Sequence, residues 1–256
     1  MAIGNRLHTA RCCDGCWRMI PLRDSSTKRR FTPINTLLIL ANLAVFAHEV
    51  LLGPQVEGFV RRYAMIPAQV GASLEVFHWG AGPDAPGAGL RPILTLVTSM
   101  FVHGGVLHLA GNMLYLFIFG AGVEWRLGSL RFLGFYLAAG IAAAVATISI
   151  APHSEIPVIG ASGAIAGVLG AYFIFYPRGR ITTILPVFIF IQVIEVPAVI
   201  YLLLWFAVQL YAGLMGGSQG AIAGGVAWWA HTGGFLFGVA LGPLLARREP
   251  SPRRVR

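Results

Sequence analysis

Charge is what this chain has least of. Asp, Glu, Lys and Arg make up 11% of its 256 residues, where a soluble domain carries about 25%. That shortage excludes an ordinary solvated globular surface. With 56% hydrophobic residues, a mean hydropathy of +0.72 and several long apolar runs, it indicates an integral membrane protein. Acidic residues are scarcer than basic ones, and the net charge is +9. The excess of base does not point to nucleic acid, because the basic residues lie mostly at the chain ends and beside the apolar runs, where the positive-inside rule puts them. Lysine is nearly absent, with Lys28 its one occurrence, an arginine-dominated usage that hints at a GC-rich genome. Cysteine is confined to Cys12, Cys13 and Cys16. With His8 these form His-x3-Cys-Cys-x2-Cys, a fragment of a metal-ligand pattern. A lone Cys-x2-Cys without a second pair is weak, so reduced, unligated thiols on the cytoplasmic side are expected. No cleavable signal peptide is visible; the first apolar run begins after Pro33, behind a long basic stretch, and reads as a spanning helix.

What is present is a succession of apolar segments. Residues 1–33 are polar and basic, and residues 34–246 hold six expected spans: 34–52, 107–123, 130–150, 160–176, 187–211 and 228–246. A basic tail, 247–256, follows. His48 and Glu49 fall near the far end of the first span, where headgroup water is expected to reach them. The connection 53–91 is long enough to be functional or partly structured. Within it, 56–70 with Arg61 and Arg62 suits the membrane interface, and 80–92 is rich in Gly and Pro and reads as irregular. Residues 213–225 read as a glycine-rich loop. Six spans put both termini on one side. Sixteen of the nineteen basic residues then share that side, leaving Arg61, Arg62 and Arg91 opposite. Both termini are therefore expected in the cytoplasm.

This topology has a chemical consequence. Spans two, four and six all run inward, and His108, Asn112, Ser162 and His231 lie near their beginnings. Four polar residues far apart in sequence thus share one depth in the outer half of the membrane, where facing lipid is costly and facing one another is not. The stretch Gly160-Ala161-Ser162-Gly163 opens the fourth span and Ala230-His231-Thr232-Gly233-Gly234 the sixth. Small residues recur every four positions on both, at Gly163, Gly167 and Ala171 and at Ala230, Gly234, Gly238 and Gly242. Such stripes let membrane helices pack closely. Close packing alone accounts for the small residues, Ser162 included, and it would also bring a serine to a histidine base.

These pieces resemble a rhomboid intramembrane serine protease. The resemblance rests on Met100-Phe101-Val102-His103 leading to His108-Leu109-Ala110-Gly111-Asn112, on Glu124-Trp125-Arg126-Leu127-Gly128, on Gly160-Ala161-Ser162-Gly163, and on Ala230-His231-Thr232-Gly233-Gly234 with Gly238. It covers about residues 19–246. It implies an all-α bundle of six transmembrane helices with a long first extracytoplasmic loop, in the cell membrane of a bacterium. It implies Ser162 as nucleophile, His231 as general base, and His108, Asn112 and the Ser162 N–H as the oxyanion hole. Glu124, Arg126, Gly160, Gly163, Gly234 and Gly238 match structural positions of the family motifs. The implied substrates are single-span membrane proteins cut within the lipid bilayer, with no cofactor and no metal; nothing in the resemblance points to nucleic acid. No third acid is expected beside the pair, since Asp14, Asp24 and Asp84 lie outside the spans and Glu195 is expected deeper in span five. Because His231 must be neutral to accept a proton, activity is expected to fall as pH drops through the histidine range, about 6.5 if unperturbed.

The sequence departs from the family pattern in places. Ala166 stands where some members carry a tyrosine stacked on the histidine, so orientation of His231 must come from elsewhere. The Trp-Arg pair common in the first loop is missing. Glu124 and Arg126 either brace the cytoplasmic span ends or form a solvated charge pair worth under about 1 kcal/mol. His103 either sits at the interface or binds a phosphate headgroup or water. Glu195 is either a packing partner or part of a gate. Met19-Ile20-Pro21-Leu22-Arg23-Asp24 resembles the opening of related bacterial proteins, so residues 1–18 are expected to be dispensable. Two other classes compete: a catalytically inactive relative that captures membrane clients, and a transporter or channel, for which no internal repeat is evident. The soluble-hydrolase pattern G-x-S-x-G fails at Ala164.

Overall fold

The chain is seen in a computed structural model that describes residues 20–24, 31–79, 90–187, 190–216 and 227–247. The cluster His8, Cys12, Cys13 and Cys16 lies outside these residues, as do the expected glycine-rich loop beyond residue 216 and most of the basic tail.

Helix α1 (Pro33–Leu51) opens on a proline, which suits the first helical turn because its missing N–H is not needed there. The next N–H groups find their acceptor on another span: Glu124 accepts from Ile34 at 3.2 Å and from Asn35 at 2.7 Å. Helices α2 (Val56–Tyr63), α3 (Pro67–Trp79) and α4 (Leu90–Thr98) follow. The second span is one continuous rod, Val106–Leu127. It consists of α5 (Val106–Tyr115), a π turn (Leu116–Gly120) and α6 (Ala121–Leu127). Then come α7 (Ser129–Ile150), α8 (Ser162–Phe175), α9 (Ala198–Gly216) and α10 (Trp228–Leu245). Among the described residues, four helices are long and apolar enough to cross a membrane: α1, the Val106–Leu127 rod, α7 and α9. Helix α8 has 14 residues, about 21 Å of rise against a hydrocarbon core of about 30 Å. Helix α10 has 18 residues, but His231, Thr232 and its glycines dilute its apolar character.

Helix α8 is the buried axis, inaccessible from Gly163 to Tyr172. Its small residues set how close its neighbours come. A Cβ on Gly238 would strike the backbone of Gly167, one on Gly234 the carbonyl of Gly163, and one on Gly163 the Cβ of Ala143 at 2.7 Å. Helices α8 and α10 therefore touch backbone to backbone along the stripes read in the sequence. Gly170 belongs to the same contact, against the Phe235 carbonyl.

Two expectations fail. Val187 and residues 190–197 are not the start of a span. They lie in an antiparallel hairpin, β2 (Arg180–Val187) with β3 (Phe190–Pro197). Hydropathy cannot separate a short apolar strand from a helix, but Ile181, Thr182, Thr183, Ile184, Val193, Ile194 and Val196 are residues of high β propensity. The hairpin closes at its base where the Ala198 N–H donates to the Gly179 carbonyl at 2.7 Å. Glu195 consequently sits on β3, half-exposed and 3.3 Å from Arg180, rather than deep in a helix. A third strand, β1 (Ile20–Asp24), pairs with β2. Part of the basic N-terminal segment is therefore joined to the turn between α8 and α9.

The second failure is Glu49. It is 3% exposed and faces the protein rather than headgroup water. Its carboxylate accepts the His103 backbone N–H at 3.2 and 3.3 Å. His103 is likewise buried within the protein, which leaves its side chain no access to a lipid headgroup.

Candidate active site

The segment before Ser162 is held from three directions. Met65 and Val158 exchange two backbone hydrogen bonds, at 3.1 and 2.8 Å. The Ala68 N–H donates to the Ser154 carbonyl at 3.0 Å, and the Gly160 N–H donates to the Ser99 carbonyl at 2.9 Å. The long first connection thus buries Ala64, Met65, Ile66 and Val70 and fixes the approach to α8. Gly160 has φ +115, and a Cβ there would lie 2.7 Å from His108 Nε2 and 3.8 Å from Asn112 Nδ2. Both the backbone angle and the space demand glycine. This close approach puts His108 and Asn112, from α5, against the backbone two residues before Ser162.

Ser162 is the first residue of α8, where the leading N–H groups have no partners inside the helix. Its Oγ lies 2.8 Å from His231 Nε2. Both residues are half-buried. His108 Nδ1 accepts the Gly104 N–H at 3.3 Å, which leaves its Nε2 towards Gly160. Asn112 donates one amide hydrogen to the His108 carbonyl at 2.9 Å and keeps a second. Ser162, His231, His108 and Asn112, named from sequence, thus meet at one place. Such a place offers a hydroxyl, a base, hydrogen-bond donors and a helix N-terminus favourable to negative charge.

One neighbour escaped the sequence reading. His231 Nδ1 lies 2.7 Å from Gln209 Oε1 on α9, and Gln209 is 2% exposed. Trp205 and Trp228 flank the imidazole, with ring centroids 5.9 and 6.3 Å away. The signal was there: a lone amide inside the apolar run of α9 is expensive unless it meets a partner. Ala166, in place of a tyrosine, packs towards Gly234 instead.

The other motif residues do not join this cluster. Glu124 is buried, caps α1 and also accepts from Ser129 Oγ at 2.7 Å; it is not a solvated charge. The Arg126 guanidinium lies over Phe175, the last residue of α8, at 5.2 Å, and the Arg126 carbonyl accepts the Arg247 N–H at 2.9 Å. Glu124 and Arg126 therefore tie α1, α8 and the end of α10 together at the end of the bundle away from Ser162. Gly163, Gly234 and Gly238 serve the α8–α10 contact.

The family model for the Rhomboid domain matches residues 91–248. The chain is 49% identical over 76 residues to Rhomboid protease GluP of Bacillus subtilis (strain 168), a match covering 30% of this chain and 14% of that protein. It is 39% identical over 77 residues to the Putative rhomboid protease YdcA of the same organism, covering 30% and 38%. It is 31% identical over 153 residues to the Presenilin-associated rhomboid-like protein, mitochondrial, of Homo sapiens, covering 56% and 36%. The matched stretches span well under half the length of each of these relatives.

Proposed function

This chain belongs to the rhomboid family, and from that premise we propose that it is an intramembrane serine endopeptidase that cuts transmembrane-helix substrates near the outer membrane interface. The observation that carries the reading is the 2.8 Å contact between Ser162 Oγ and His231 Nε2. As the Ser162 oxygen attacks a peptide carbonyl, its proton passes to His231 Nε2. The C–N bond then breaks, and the same proton leaves on the amine. Water, deprotonated by His231, hydrolyses the remaining ester and regenerates Ser162. His108, Asn112 and the Ser162 N–H are the donors for the oxyanion; one such donor contributes on the order of 3 kcal/mol in a protease where it has been measured.

The depth of cleavage follows from α8. In the proposed topology α8 and α10 complete six spans and both termini are cytoplasmic, with residues 34–246 as the membrane domain between basic segments 1–33 and 247–256. A 14-residue helix whose Phe175 end lies at the cytoplasmic side then leaves Ser162 below the outer surface. The substrate is a single-span helix. Its peptide bonds are protected by their own hydrogen bonds, so Gly or Pro near the outer interface should mark the cut by loosening the helix.

The test is cleavage of a single-span reporter by the full chain in proteoliposomes, beside Ser162→Ala. Cleavage by wild type alone is expected. Capture of the reporter without cleavage would replace this reading with that of a catalytically inactive client-binding relative. Asn112→Ala should lower kcat by about 10²–10³-fold.

A further inference from the structure

Helix α9 crosses its apolar course with one buried amide, Gln209, and that amide is aimed at the base. A buried amide must find hydrogen bonds, and its carbonyl oxygen could take a backbone N–H or another amide's N–H equally well. Here the acceptor Oε1 instead lies 2.7 Å from His231 Nδ1, while His231 Nε2 lies 2.8 Å from Ser162 Oγ. Both ring nitrogens are thereby engaged. Neutral imidazole carries one hydrogen. For Nε2 to take a proton from the serine it must present its lone pair, so the hydrogen must sit on Nδ1 and needs an acceptor there. Trp205, four residues before Gln209 on the same face of α9, and Trp228 on α10 hem the ring on other sides.

We propose that Gln209 is the positioning residue for His231: its side-chain carbonyl accepts the Nδ1 hydrogen, fixes the tautomer whose Nε2 lone pair faces Ser162, and stabilises the imidazolium formed during acylation. The catalytic part of this proposal rests on the serine-protease reading. Gln209 supplies here what a carboxylate supplies in a three-residue arrangement, but as a neutral group that neither takes up a proton nor adds a charge to the membrane interior. It also answers how His231 is oriented when Ala166 offers no ring to stack on it.

Two measurements test this. The first needs no turnover. In protein labelled with ¹⁵N-histidine in nanodiscs, with the signal identified through His231→Ala, wild type should show His231 protonated at Nδ1. Gln209→Leu, which keeps the bulk and removes the acceptor, should shift the ring towards the Nε2-protonated tautomer. An unchanged tautomer overturns the proposal. The second is kinetic. Gln209→Leu should lower kcat by about 10- to 100-fold with KM unchanged, and should move the acid limb of the kcat–pH profile to lower pH. Gln209→Glu should move that limb to higher pH, because a carboxylate beside Nδ1 favours the protonated ring. Among the described residues, the other titratable side chain whose charge bears on His231 is His108 on α5, so His108→Gln should be carried as a background in which the two shifts persist. A purely structural role would reduce the yield of folded protein and leave tautomer, acid limb and the kcat of the folded fraction alone, which overturns the proposal. Cleavage that survives Ser162→Ala would sink the serine-protease reading, while the tautomer measurement would still decide the role of Gln209 at the ring.

Discussion

Helix α10 meets α8 and α9 in different ways. Against α8 it presents Gly234, Gly238 and Gly242, with no room for a Cβ on any of them. Against α9 it presents larger groups: Phe235 stacks on Phe206 at 4.7 Å and lies 6.1 Å from Trp205, and His231 reaches Gln209. A backbone-to-backbone contact has one register, since neither side has side chains that can repack. A contact through aromatic rings can be repacked with volume conserved. The serine and its proposed base therefore sit across the stiff interface, and the group proposed to orient the base sits across the adaptable one.

This contrast is open to attack. Gly238→Leu should have the largest effect, because the added Cβ strikes the Gly167 backbone. A loss of at least about 3 kcal/mol is expected, read as a collapse of the thermal transition in detergent together with loss of activity. Glu124→Ala comes next. It leaves two N–H groups of α1 without their acceptor and should cost about 1–3 kcal/mol, while the surviving folded protein keeps its kcat, since Glu124 is remote from Ser162. Phe206→Leu tests the adaptable interface and should cost under about 1.5 kcal/mol; a loss as large as that of Gly238→Leu would erase the distinction. Glu195→Ala should be the mildest, under about 1 kcal/mol, because its pair with Arg180 is more than half exposed.

The same contrast explains what could be read from sequence. The four-residue spacing of Gly163, Gly167, Gly234 and Gly238 is a local, periodic signal with one geometric meaning, and the α8–α10 contact follows it. The shared level of His108, Asn112, Ser162 and His231 came from counting spans and basic residues, and the four do meet. Gln209 and Glu49 were not legible in this way. A single polar residue in an apolar run shows that a partner exists but not which one, and both partners, His231 and the His103 backbone, lie far along the chain. The β2–β3 hairpin was misread as span because β-branched apolar residues raise hydropathy in a strand as much as in a helix. The pairing that settles the matter involves β1, more than 150 residues away. Glu124 was recognised within its motif, but its task depends on where α1 begins in space.

The most direct test of the central claim is covalent. A fluorophosphonate probe applied to the full chain in membranes should label Ser162 and leave Ser162→Ala untouched. His231→Ala should slow labelling drastically, approaching the roughly 10⁶-fold loss seen when a serine protease loses its base. Labelling of His231→Ala at the wild-type rate, or reporter cleavage that survives Ser162→Ala and stops with a chelator, would contradict the account.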